Sequence, residues 1–176
     1  CLSFDGQDDY VRIENSVLSQ VGNGDFTVEA LIKAKAASQS EHPTIISWRS
    51  SSMSNKEGML FIHDLWGTSV YKMLSIQFDG TNYLVKDNGS FNSSLLDGEC
   101  HHVAVSRNSD SLYFYIDGQL IGKRKLKSGN KILSPGSSIS IGRDLPTNNP
   151  FEGNNSYIRF WKTARSAQQL SDNMDH

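Results

Sequence analysis

The side chains able to do chemistry in this sequence are few, and their spacing limits what they can do. Glycoside hydrolysis needs two carboxylates about 5–10 Å apart, one of them held protonated. A strand supplies that geometry with acids at i and i+2 or i+4 on one face. Glu29 is the lone acid of its segment, Phe26–Lys33, and Asp8-Asp9 is an adjacent pair whose members point opposite ways. Hydrolysis is therefore the least favoured reading. His101 and His102 are also adjacent. On a strand they face opposite sides and cannot share one metal without a group from elsewhere, so a structural role is favoured. Cys1 and Cys100 are the two cysteines, and no CxxC spacing exists to hold a metal cluster. They can pair with each other, pair between chains, or stay free. An intrachain bridge would close a loop worth about 4–5 kcal/mol in the chain-entropy model.

Sugar recognition asks for other chemistry: an aromatic face to stack on a pyranose and planar polar partners for its hydroxyls. Phe61-Ile62-His63-Asp64-Leu65-Trp66-Gly67 reads as a strand that ends in a loop, and it sets a tryptophan within three residues of both an imidazole and a carboxylate. Trp66 is expected to stack, with Asp64 and His63 bonding hydroxyls; the plainer alternative is that Trp66 covers a sheet edge. Arg143-Asp144-Leu145-Pro146-Thr147-Asn148-Asn149-Pro150 forms a second polar stretch. Asp144, Asn148 and Asn149 are expected to contribute from this neighbouring loop, although the same residues are good turn formers. If Trp66 proves a packing residue, the outward tyrosines Tyr71, Tyr113 and Tyr115 are next in line. Trp48 and Trp161 lie within strand patterns and read as packing residues.

The elements that must position these residues are strands. Phe26, Val28, Ala30 and Ile32 alternate with Thr27, Glu29 and Lys33; Leu74, Ile76 and Phe78 alternate with Ser75 and Gln77; Leu112, Phe114 and Ile116 alternate with Tyr113 and Tyr115. Period two marks half-buried antiparallel strands, one face to a core and one outward. Asp5-Gly6, Asn23-Gly24, Asp79-Gly80, Asn88-Gly89, Asp97-Gly98 and Asp117-Gly118 punctuate them as turns. Ile116-Asp117-Gly118-Gln119-Leu120 reads as a hairpin with a two-residue loop. One helix is expected, from Ser166 to Asn173, with Ser166 and Gln169 as a capping box. An all-β chain of this kind stacks two sheets face to face, with Phe26, Val28, Ile76, Val103, Phe114 and Ile141 between them. The 176 residues read as one domain, residues 1–176.

Bulk properties exclude other roles. A net charge of −2 offers no attraction to phosphate backbones, so nucleic acid is not an expected partner. Lys123-Arg124-Lys125 with Lys127 reads as an edge-protecting face. No apolar run approaches the ~20 residues that cross a bilayer, so membrane insertion is not expected. Sequons at Asn88, Asn92 and Asn154 favour a secreted protein with glycosylation at those asparagines.

Several segments, in order, resemble laminin-G-like domains of the concanavalin-type jelly roll. Leu2-Ser3-Phe4-Asp5-Gly6, Asp9-Tyr10-Val11 and Asp25–Ala30 resemble the opening of such domains. Cys100-His101-His102-Val103-Ala104 resembles their central Trp-His-His-Val-Ala motif, which implies one packed histidine and one at the sheet surface, and Leu112–Gly118 resembles the hairpin that follows it. Ile141-Gly142-Arg143, Phe151-Glu152-Gly153, Ile158–Trp161 and Ala164-Arg165-Ser166 resemble the closing strands and terminal helix. The layout resembles pentraxins more distantly. The resemblance implies an all-β jelly-roll sandwich that binds sugars, proteins or lipid head groups, often with calcium. Two departures stand out: Cys100 replaces the motif's Trp, and Asn154-Asn155-Ser156-Tyr157 replaces an acidic position after the closing Gly. The pentraxin analogy places calcium at the loops holding Asn55, Glu57 and Asp144, but Glu57 and Asp144 are the only acids there, with Arg143 adjacent, too few for the six to eight oxygens calcium wants, so no metal is expected and calcium is the alternative. Nor does the hydrolases' Glu-x-Asp-x-x-Glu strand motif occur here. The expected function is a secreted, non-enzymatic lectin that binds glycans weakly per site and gains strength as a homo-oligomer. The alternative is a protein-binding adhesion or matrix module of the same fold.

Overall fold

A computed structural model describes residues 1–14, 24–35, 42–49, 58–66, 69–78, 81–85, 95–127 and 138–174; the side chains of residues 59–66, 69–73 and 78 are outside that description. The glycosylation candidates Asn88 and Asn92, and the calcium candidates Asn55 and Glu57, lie outside the described residues. The strands are β1 (Leu2–Asp5), β2 (Val11–Ile13), β3 (Phe26–Ala34), β4 (Thr44–Ser47), β5 (Met59–Trp66), β6 (Ser69–Phe78), β7 (Thr81–Leu84), β8 (Cys100–Asn108), β9 (Ser111–Ile116), β10 (Gln119–Lys125), β11 (Ile139–Ile141), β12 (Arg143–Asp144), β13 (Asn149–Pro150) and β14 (Glu152–Trp161). One helix, α1 (Ala167–Ser171), follows.

The strands form two six-stranded sheets, β1-β14-β3-β8-β9-β10 and β2-β11-β4-β5-β6-β7, with β12 and β13 as a small separate hairpin. Every ladder among the described residues is antiparallel, as in β3 with β14 and β8. This is the all-β sandwich that the period-two pattern implies. The core between the sheets holds Phe26, Val28, Ile76, Val103, Phe114 and Ile141, together with Trp48, all buried. Asp117 (φ 48°) and Gly118 (φ 73°) make the expected two-residue turn between β9 and β10; positive φ at both positions matches the right-handed twist of the flanking strands. Ser166 caps α1 as expected, its hydroxyl accepting from the Gln169 backbone N–H while the Gln169 side chain accepts from the Ser166 N–H.

One expectation fails. The outward face of β3 is not solvated, because Thr27 and Glu29 are fully buried. The chain after β14 returns across this face, where the Thr27 hydroxyl donates to the Thr163 carbonyl at 2.9 Å. Leu170 of α1 then makes a second small core with Ala104 and Tyr115. Tyr113 and Tyr115 do point outward from β9, but α1 covers them, so they are no open platform.

Candidate functional site

The loop after β11 turns sharply at Gly142 (φ 83°), where a Cβ would lie 2.3 Å from the Phe4 ring. That turn sends β12 back across β4, pairing Arg143 with Pro150 and Asp144 with Asn149 in β13. The position decides the fate of Asp144. It is fully buried, and its carboxylate accepts from the Ser47 hydroxyl at 2.6 Å, from Arg49 Nη1 at 3.1 Å and from the Thr147 hydroxyl. Three internal donors thus occupy the carboxylate expected to meet a sugar. Its charged neighbour is the Arg49 guanidinium, itself only 13% exposed.

Asn148 and Asn149 stay on the surface side of the hairpin. Asn148 (φ 53°) holds the turn, and its Oδ1 accepts from Arg143 Nε at 2.7 Å and from Arg143 Nη2. The Asn149 amide donates to the Thr147 hydroxyl at 2.7 Å. Arg143 reaches further, donating from Nη1 to the Asp8 carbonyl at 3.2 Å, with its guanidinium 5.9 Å from the Tyr10 ring centroid. Sequence reasoning missed this partner loop, Asp5–Tyr10. Tyr10 is 44% exposed, and Asp5, Asp8 and Asp9 cluster beside it with carboxylate oxygens within 4.8 Å of one another. Asp9 accepts from the Asp5 N–H and Asp5 from the Gln7 N–H, so turn bonds account for much of the cluster. The rim thus presents an exposed aromatic ring beside planar amides, a guanidinium and carboxylates. The one signal of it in the sequence is the aromatic directly after the Asp8-Asp9 turn.

His63, Asp64 and Trp66 are not in a loop: all three lie on β5, which pairs with β6 as far as Trp66↔Ser69. The ladder shifts register between His63 and Leu65, at Asp64. The structure does not bring these residues together with Asp144. Asp144 bonds Ser47, whose register partner on β5 is Met59. The strand from Met59 to Trp66 extends about 23 Å at ~3.3 Å per residue, too far for one sugar ring to touch both.

The adjacent histidines do face opposite sides, but both are buried, which corrects the expected surface position of one. His101 is held between two acids, Nδ1 at 2.9 Å from Asp117 and Nε2 at 3.1 Å from Asp97. The bond and charge of Asp117 raise its pKa, burial opposes that, and Asp97 adds to the rise. On the other face, His102 Nε2 lies 3.2 Å from Glu29, which also accepts from Trp161 Nε1 at 2.9 Å and faces Arg159 at 3.6 Å. Burial works to raise the Glu29 carboxyl, but His102, Trp161 and Arg159 together hold it below its ordinary value. Glu29 is sealed under the returning chain and fully buried.

Cys1 and Cys100 are both exposed and unbonded. Cys100 pairs with Lys33, Lys33 with Asn154, and Asn154 with Ser3 of β1, so three ladders separate the two ends. At about 4.8 Å per ladder this is beyond disulfide reach, which leaves intrachain pairing unsupported. Asn154 sits in β14, between β1 and β3, and lines a groove of about 540 Å³ with Ser3, Lys33 and the Lys35–Glu152 ion pair (2.5 Å).

The family model of the concanavalin A-like lectin/glucanases superfamily, of laminin-G type, matches residues 5–171. Among curated protein sequences none matches. Solved structures do. One, described as a candidate carbohydrate-binding protein from Bacteroides ovatus, has 24% identity and a TM-score of 0.69; the match covers 98% of this chain and 48% of that one. This chain therefore spans about half the length of that protein. A heptameric SAP-like pentraxin from Limulus polyphemus has 17% identity and a TM-score of 0.66, over 96% of this chain and 78% of that one. The CBM40 of the Ruminococcus gnavus IT-sialidase, bound to α2,3 sialyllactose, has 13% identity and a TM-score of 0.68, over 97% of each chain. At these identities the likenesses show the shared fold.

Proposed function

We propose that this chain, which belongs to the concanavalin A-like lectin/glucanases superfamily, is a non-enzymatic glycan-binding domain whose site is the rim between the Asp5–Tyr10 loop and the Arg143–Pro150 hairpin. The observation that carries the reading is the exposed Tyr10 ring beside Arg143 and Asn148. Sugars are amphipathic discs, and this rim offers a ring for the apolar face and planar donors and acceptors for the hydroxyls. Asn148 keeps its Nδ2 and Asn149 its Oδ1 for a ligand, while Asp144 holds the hairpin in shape from below. The carbohydrate-binding neighbours support the same class of ligand. In this reading the protein is secreted, Asn154 and the other sequons are glycosylation positions, and weak single sites gain avidity in a homo-oligomer. Binding is independent of calcium, because Asp144 is already neutralised by Arg49.

The β5–β6 hairpin is a separate candidate contact through His63, Asp64 and Trp66. A glycan array on the purified chain, followed by Tyr10→Ala and Trp66→Ala, tests both. We expect sugar-competable binding that survives EDTA and weakens about tenfold in Tyr10→Ala. Loss in Trp66→Ala with Tyr10→Ala unaffected moves the site to the hairpin. Silence across the array favours the alternative, a protein-binding adhesion module.

A further inference from the structure

A second cleft, distinct from the rim, lies where the chain before α1 crosses β8 and β9. It has a volume of about 290 Å³ and is lined by Tyr113, Tyr115, Asn108, Arg165, Ser166 and Gln169 among others. Two of these carry unused capacity. The Arg165 guanidinium stacks 4.0 Å from the Trp161 ring centroid and donates from Nη2 to the Gln169 carbonyl at 2.8 Å. Its Nε is buried without an acceptor, and no carboxylate among the described residues pairs with it. Neither a ring face nor a carbonyl neutralises a cation, and a half-buried charge without a counter-ion is costly. Tyr115 is only 6% exposed, yet its hydroxyl has no hydrogen-bond partner among the described residues. Around these two, Asn108 Oδ1 and Gln169 Oε1 accept internal bonds, which leaves their amide nitrogens as donors.

The lining therefore combines one fixed cation, several neutral donors and no carboxylate. We infer that this cleft binds an acidic monosaccharide of the uronic acid type, its carboxylate against Arg165 and its hydroxyls against Tyr115, Asn108 and Ser166. A carboxylate supplies the missing counter-ion, and the guanidinium fork suits it better than a single ammonium would. The ring of neutral polar groups fits a polyhydroxylated acid better than a bare anion.

Titration of the folded chain with sodium glucuronate, followed by NMR, tests the inference. Saturable shifts are expected at Tyr115 and Arg165, with glucuronate binding at least tenfold tighter than glucose or acetate. Tyr115→Phe removes one oxygen and should weaken glucuronate binding several-fold without moving the unfolding midpoint. Arg165→Lys keeps the charge but loses the fork, and should weaken it about tenfold; if that variant unfolds, Tyr115→Phe decides alone. Equal binding of glucose and glucuronate, or unchanged affinity in Tyr115→Phe, overturns the inference, as does equal competition by N-acetylalanine, a peptide-type carboxylate. Tyr10→Ala should leave glucuronate binding intact, so failure at the rim and failure in the cleft are read separately.

Discussion

At the rim, Asp144 is surrounded by Ser47, Arg49 and Thr147, and Asn148 by the two guanidinium nitrogens of Arg143. Under α1, the Arg165 guanidinium has one carbonyl and one ring face, and the Tyr115 hydroxyl has no hydrogen bond among the described residues. Both regions are built from residue types that bind sugars. What separates them is how much of that capacity the protein uses on itself. The Asp144 carboxylate is spent on shape and the Arg165 guanidinium is largely not, a difference that residue type alone does not reveal.

The comparison breaks most readily at Asp144. Replacing it with Ala strips a buried acceptor from Arg49 and two hydroxyls, and removing one partner of a buried pair costs about 3 kcal/mol or more. Urea unfolding should show that loss, and rim binding should fall with it. A variant as stable as the parent would mean the carboxylate is not structural, returning Asp144 to the pool of ligands. Leu170→Ala comes next. Leu170 is fully buried against Ala104 and Tyr115, and the truncation should cost about 2 kcal/mol, the low end for a buried leucine because α1 can settle inward. That settling narrows the cleft, so glucuronate affinity should drop while binding at the rim is unchanged.

Much of the architecture was legible because it follows from short-range rules. Alternation placed Phe26, Val28 and Ala30 in the core, Asp117-Gly118 demanded a hairpin, and Ser166 with Gln169 spelled out a cap. The site was less legible because its partners meet across the chain. Nothing near Asp144 in sequence announces Arg49, and nothing near Arg143 announces Asp8. Trp66 reads as a loop residue because Gly67 follows it, yet cross-strand pairing with Ser69 extends the strand to its end. The outward face of β3 reads as solvated because alternation cannot say that a later segment will return to cover Glu29.

The smallest expected effect sharpens the comparison at a third place, where polar capacity is again used internally. His101 bridges Asp97, in the turn before β8, and Asp117, in the β9–β10 turn, so it ties two turns together. Its pKa is raised, so its share of stability is full below its ordinary value of 6.5 and is lost as pH rises through the raised value. The Asp97 and Asp117 carboxyls are pushed up by burial but held lower on balance, Asp97 by the Glu99 N–H and His101, Asp117 by His101 and the His102 N–H. Their share is full above the ordinary 3.8 and is lost as pH falls through the lowered values. Both shares are complete only between about pH 4 and 6.5. Unfolding of the parent and of His101→Gln, compared across pH, should differ most inside that window and converge on either side. Partial exposure of both acids keeps the difference modest, since solvent screens them. A gap that stayed constant to pH 9 would mean the ring acts through neutral hydrogen bonds, and the two aspartates would then have charge to spare, as Arg165 does.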